Sequence, residues 1–168
     1  MSIELLLSII KTPIGDLTVV TEGSSIAICE FSDHEERVAR QLQRFYGGAN
    51  ITSGDLPEEI ALKFKAYFAG DTEALDSLQT APAGSPFDQC VWQELRNIPT
   101  GTTTHYGALA KTMTSSPRAV GGANGRNPVA LIHPCHRVIG VNGSLTGYAG
   151  GLKRKEWLLQ HEGALLPV

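Results

Sequence analysis

The chain has 168 residues, 42% of them apolar, enough for one or two small domains with cores of their own. No apolar run is long enough for a bilayer span, and Leu5–Ile10 lacks the basic flank of a secretory signal, so neither a membrane nor an export role is expected. Three cysteines without a Cys-x-x-Cys pair exclude a disulfide framework or an all-cysteine zinc site and suit the cytoplasm. The net charge of −3 speaks against a polyanionic partner only until it is divided. Met1–Ser85 holds 6 Lys/Arg against 13 Asp/Glu (−7), and Pro86–Val168 holds 8 against 4 (+4). A basic second half suits a polyanion.

Residues 1–31 read as a β-meander, with strands Leu5–Lys11, Leu17–Thr21 and Ile26–Phe31 separated by Gly/Pro turns. Ser32 and Glu35 have the spacing of a capping box. The helix that follows carries Val38, Leu42 and Phe45 on one stripe and stops at Gly47-Gly48. Pro57 opens a second helix, with Ile60, Phe64 and Tyr67 or Phe68 inward and Gly70 at its end. No nucleophile–base pair occurs here, and His34 reads as solvated. Residues 71–86 lose periodicity, which places a domain at 1–80, a linker at 81–86 and a second domain at 87–168. Ser85 caps a helix that starts at Pro86, with Phe87, Val91, Trp92 and Leu95 inward. At that spacing Trp92 belongs to the core. Cys29 and Cys90 read as core thiols.

A short helix over Gly107–Met113, a turn at Thr114–Ser116 and a helix running from Pro117 towards Arg126 suggest helix-turn-helix. The second helix is glycine-rich, at a cost of about 1 kcal/mol per Gly against Ala. Small side chains there serve either close packing on the same domain or entry into a minor groove, and residue size does not choose. Arg118 and Arg126 are phosphate contacts or solvated charges.

The apolar, strand-like run Val129–Ile132 then delivers Pro134-Cys135-His136-Arg137. Pro134 biases His133 to an extended shape. Positive neighbours favour a thiolate at Cys135, and thiolate is the nucleophile. Val138–Val141 precedes a hairpin turn at Asn142-Gly143. A glycine-rich loop around Tyr148 leads into a helix over Leu152–His161. Its setting does not fit a phosphate-cradling loop. Glu162 stands at that helix's C-terminus, where the dipole disfavours an anion. It is either a solvated chain end or the partner of His136 or Arg137.

Pro134-Cys135-His136-Arg137-Val138, Asn127-Pro128, Gly147-Tyr148-Ala149-Gly150-Gly151 and the run Lys155–Gly163 together resemble the O6-alkylguanine-DNA alkyltransferases, the methylated-DNA–protein-cysteine methyltransferases. The likeness is strong from Phe87 to Gly163. It implies an α+β protein of two domains. The N-terminal one is an antiparallel β-sheet with helices, RNase H-like, and the C-terminal one is mainly helical and winged-helix-like. It implies a monomer, with cooperative DNA binding left open, that flips an O6-alkylguanine (or an O4-alkylthymine) out of duplex DNA. The alkyl group passes irreversibly to Cys135 in a single turnover without a cofactor. His136 would take the thiol proton through a water, Glu162 would orient it, and Asn127 would buttress the turn. Tyr106 would help rotate the nucleotide, and Tyr106 or a backbone amide would stabilise the leaving guanine. Arg118 matches the arginine finger, and Ala119, Gly121, Gly122, Ala123, Arg126 and Arg137 would lie towards DNA. The Val138 carbonyl, Tyr148, Ala149 and Gly150 would wall the base pocket. Some members hold a zinc in the N-terminal part, but Cys29 has no evident partners and no metal is expected. Three positions depart from the pattern. His133 replaces an aliphatic residue, the Thr114–Pro117 turn is short, and Ala149 stands where some members have Ser. Two rival readings are a thiol hydrolase built on Cys135, His136 and Glu162, and a lesion-binding module without chemistry. Cys and His adjacent in sequence rarely align as nucleophile and base, and modules without chemistry replace the cysteine.

Overall fold

β-branched and leucine-rich runs broken by Gly turns pair as the meander requires. The computed structural model describes residues 2–165, so Met1 and residues 166–168, the end of the expected second domain, lie outside the described residues. β1 (Glu4–Ile10), β2 (Leu17–Glu22) and β3 (Ser25–Phe31) are antiparallel neighbours. β4 (Asn50–Ser53) adds parallel to β1, completing the order β3-β2-β1-β4. A parallel return needs a crossover, and α1 (Glu35–Phe45) lies between β3 and β4 in the chain. β4 is a fully exposed edge whose Asn-Ile-Thr-Ser carries no hydrophobic alternation, so the sequence held no signal for it.

Contacts divide the chain into two units. One comprises residues up to Ala83 together with Pro128–Ile132, and the other Gly84–Asn127 together with the chain from His133 onward. The expected linker is partly pinned to the first unit. Ile26 N–H donates to the Gln79 carbonyl at 2.9 Å and Ala81 N–H to the Ile26 carbonyl at 2.8 Å. The first core gathers Leu5, Val20, Ala27, Ile28, Val38 and Tyr46, while α2 (Glu58–Phe68) buries Ile60, Phe64 and Tyr67. The capping box does not form. Ser32–His34 is a 3-10 turn, Ser32 Oγ lies 2.8 Å from Thr18 Oγ1, and α1 begins only at Glu35. Phe45 is 37% exposed rather than inward, with the Arg44 guanidinium 5.0 Å from its ring centroid.

Val129–Ile132 is not a strand. Cys29 N–H donates to the Pro128 carbonyl at 2.9 Å and Ala130 N–H to the Cys29 carbonyl at 2.8 Å, forming a single parallel bridge to Val129, and the chain then folds back. Ile132 N–H donates to the Ala130 carbonyl at 2.9 Å across Leu131, whose φ is 71°. This γ-turn is a strained backbone for a leucine, costing about 1–3 kcal/mol. Burial of the Leu131 side chain opposes that cost.

In the second unit every early helix start carries a side-chain cap. Ser85 Oγ accepts from Asp88 N–H in α3 (Pro86–Leu95), His105 Nδ1 from Ala108 N–H in α4 (Tyr106–Thr112), and Ser116 Oγ from Ala119 N–H in α5 (Pro117–Gly125), each at 3.1 Å. The core joins Val91, Trp92, Leu95, Leu109, Val120 and Ala123 to Cys135 and Val138. Phe87 and Cys90 are exposed, so the buried face of α3 is narrower than its pattern suggests and Cys90 is not a core thiol. β6 (Val138–Ile139) pairs parallel with β5 (Thr104–His105). Asn142-Gly143 turns the chain through bonds between Gly140, Gly143 and Ser144, but no returning strand follows, and Val141 is 83% exposed. α6 (Leu152–His161) ends the unit.

Gly84 lies against the Cη2–Cζ3 edge of the Trp92 ring, and a Cβ there would overlap it. Gly84→Ala is therefore expected to destabilise the protein by about 1–3 kcal/mol, read as a lower urea midpoint.

Candidate active site

Pro134 sets the geometry of the site. Its ring holds φ at −78°, and with ψ at 65° it forms an inverse γ-turn in which Cys135 N–H donates to the His133 carbonyl at 2.7 Å. Asn127 Nδ2–H donates to the same carbonyl at 2.9 Å, so both lone pairs of that oxygen are used. The thiol thus begins a 3-10 turn, Cys135–Arg137, fixed before and after, and is 7% exposed.

The next two residues meet Glu162. His136 Nε2 lies 2.8 Å from Glu162 Oε2. Arg137 donates through Nε to Oε1 at 2.8 Å, through Nη2 to Oε2 at 3.1 Å and through Nη1 to the Ile98 carbonyl at 2.6 Å. All three side chains are buried. Glu162 is the C-cap of α6, and the guanidinium offsets the unfavourable dipole. Burial raises the Glu162 pKa, but His136 and Arg137 outweigh it and hold the carboxyl well below the usual range. Burial lowers the His136 pKa, and Glu162 opposes this without reversing it. Glu162 is therefore ionised and His136 neutral. A carboxylate only accepts, so His136 carries its proton on Nε2 and presents a lone pair at Nδ1. That Nδ1 is buried without a hydrogen-bond partner among the described residues.

Tyr106 opens α4, and its Oη accepts from Asn124 Nδ2–H at 3.3 Å. Its pKa is raised by burial, against the Asn124 bond, and a charge on Cys135 pushes the same way as burial. Tyr148 packs edge-on to His136 with centroids 6.4 Å apart; Ala149 is exposed and Gly150 buried. Lys155 is fully buried, and its Nζ donates to the Val138 and Thr146 carbonyls at 2.6 Å each, tying β6 to the loop before α6. Burial pushes the Lys155 pKa down to about 8.

Two residues expected towards DNA are not available to it. Arg137 spends its guanidinium on Glu162 and Ile98 inside the unit. Ala123 faces the core, and its carbonyl accepts from Trp92 Nε1 at 2.9 Å. Arg126 forks onto Asp88 at 2.9 and 2.8 Å, with its side chain 56% exposed. Arg118, Gly122 and Gly125 are exposed on α5, with Ala119 and Gly121 half-buried. Part of the helix's smallness serves its own domain, since a Cβ on Gly122 would sit 3.2 Å from Arg126 Nη1. Asn124 and Lys155 escaped the sequence reading. A lysine in register with Leu158 and Leu159 on one helical stripe was the available sign for Lys155. Among the described residues no group of three or more His, Cys, Asp or Glu is placed to hold a metal, and no helix is long and apolar enough to cross a membrane.

Two family models match nearly the whole chain. One is the 6-O-methylguanine DNA methyltransferase ribonuclease-like domain over residues 5–82, and the other its DNA binding domain over residues 86–164. The chain belongs to this family. A methylated-DNA–protein-cysteine methyltransferase of Shigella flexneri is 46% identical over 162 residues, covering 94% of this chain and 95% of the relative. A protein of the same name from Mycobacterium bovis is 39% identical, with 95% and 93% covered. The crystal structure of Mycobacterium tuberculosis OGT in complex with DNA superposes with a TM-score of 0.77 at 36% identity, covering 95% of this chain and 93% of that one.

His133 and His136 both titrate below the 6.5 of an ordinary imidazole, His133 at about 3. Below about pH 6.5 the unfolded chain binds protons that the folded one refuses, so the contribution of these imidazoles to stability is full above that pH and falls towards pH 3. Urea midpoints at pH 7.5 and pH 5 are expected to show the protein less stable at pH 5, and equal midpoints would contradict the buried neutral imidazoles.

Proposed function

We propose that this protein repairs duplex DNA by taking the alkyl group of O6-alkylguanine, and of O4-alkylthymine, onto Cys135, acting once as a monomer in the cytoplasm. The observation that carries this is the buried His136–Glu162–Arg137 cluster, which leaves a bare imidazole nitrogen on the residue next to a proline-presented thiol. The net +4 charge of the chain from Pro86 onward suits a polyanionic partner.

The base must leave the stack, because its alkyl carbon is otherwise inaccessible. Unstacking costs a few kcal/mol, and less for a poorly paired lesion. Arg118, exposed at the start of α5, is the side chain proposed to fill the gap. Cys135 Sγ then forms a bond to the alkyl carbon as the carbon–O6 bond breaks and its electron pair stays with the guanine. The thiol proton passes through a water to His136 Nδ1, and the Glu162 carboxylate stabilises the imidazolium. The Tyr106 hydroxyl, held by Asn124, is placed to donate to the leaving guanine as charge develops. The product is a thioether, which nothing at the site hydrolyses, so each chain reacts once.

Incubation with an oligonucleotide bearing O6-methylguanine, followed by peptide mass mapping, is expected to find one methyl group on Cys135. Cys135→Ala should bind the DNA and acquire none, and methyl transfer by that variant would overturn the assignment. Arg118→Ala should keep the wild-type Tm, since the side chain is exposed, yet transfer the methyl group more slowly from duplex than from single-stranded DNA.

A further inference from the structure

Asn124 is a buried polar residue for which packing gives no reason. It lies on the inward face of α5 with Val120 and Ala123, where an apolar side chain of its size would fill the space. Its one side-chain hydrogen bond among the described residues runs from Nδ2–H to Tyr106 Oη at 3.3 Å, and its Oδ1 is buried without a partner. A polar atom left unpaired out of water is a cost that leucine would avoid. Tyr106 is half-buried at the start of α4, and a Cβ on Gly147, in the loop before α6, would stand 4.0 Å from its Oη. The hydroxyl thus lies within reach of both Asn124 and that loop.

A phenol both donates and accepts, so the orientation of the Asn124 amide decides which of the two it does there. With the nitrogen towards Tyr106, the phenol oxygen accepts and its proton is left over. With the amide oxygen towards Tyr106, the phenol spends its proton on Asn124. The second orientation buries both amide N–H groups unpaired instead of one, and orphaned N–H groups are rarer in folded chains than bare carbonyl oxygens. We infer that Asn124 is a positioning residue for alkyl transfer: by donating to the Tyr106 oxygen it reserves the phenol's proton for the leaving guanine. As the carbon–O6 bond breaks, its electron pair stays on the base, and the base then needs a donor. The proton remains on the phenol, which is a stronger donor for having its own oxygen engaged.

The kinetic consequence rests on the alkyl-transfer reading, but the amide orientation does not. In wild-type protein a nuclear Overhauser contact is expected between the Asn124 side-chain NH2 protons and the ε protons of the Tyr106 ring, and its absence overturns the inference. Single-turnover methyl transfer is the second arm, read beside DNA affinity by mobility shift. Asn124→Leu should slow the rate constant by about 3- to 10-fold with unchanged affinity, the loss that one neutral hydrogen bond represents. In a Tyr106→Phe background, which keeps the ring and removes the hydroxyl, Asn124→Leu should cost nothing more. A wild-type rate in Asn124→Leu or in Tyr106→Phe overturns the positioning role, and so does an equal loss from Asn124→Leu when the hydroxyl is already gone, since that is what a packing role would give. If Asn124→Leu does not fold, the Overhauser contact decides. If wild-type protein transfers no methyl group, the alkyl-transfer reading fails while the orientation result stands.

Discussion

One carboxylate, Glu162, stands in an environment that ought to expel it. It lies out of water at the negative end of α6 and is retained because Arg137 meets it with two donors and His136 with one. Buried ion pairs of this kind are weak evidence for stability, since desolvation consumes much of the Coulomb gain. What the cluster does supply is direction. It joins the turn that follows α3 through Ile98, the active-site turn through Arg137 and the end of α6 through Glu162. In doing so it leaves His136 one tautomer and one free lone pair.

The thiol is placed by backbone rather than by side chains. Two γ-turns lie three residues apart, one strained at Leu131 and one relaxed at Pro134. Between them the chain leaves the Cys29 bridge and re-enters the second unit. Proline suits the second turn because its ring already holds the φ required. Leucine at the first has no such excuse, and its burial is what opposes the strain.

Features with local causes were legible in the sequence. The Ser85 cap, followed by proline, depends only on neighbouring residues and forms as expected. So does the helix-turn-helix spacing. Features decided at a distance were not. β4 carries no periodicity, and the Ser32–Glu35 capping box lost to a bond between Ser32 and Thr18. Phe45 and Phe87 follow helical stripes whose buried width depends on partners the sequence does not name. At the site, the motif singled out Cys135, His136 and Glu162 and left the partner of Glu162 open between His136 and Arg137. The structure uses both, and so removes Arg137 from the DNA side. Asn124 was invisible because its role is to hold the hydroxyl of Tyr106, 18 residues away.

The claim on which the account turns is that a neutral His136 takes the thiol proton inside the protein. The pH dependence of the single-turnover methyl-transfer rate constant tests it most directly. The account predicts an acid limb with a midpoint below the 6.5 of an ordinary imidazole and a plateau at and above neutrality. A rate that goes on rising through about pH 8.5, where an unassisted thiol ionises into solvent, would contradict it.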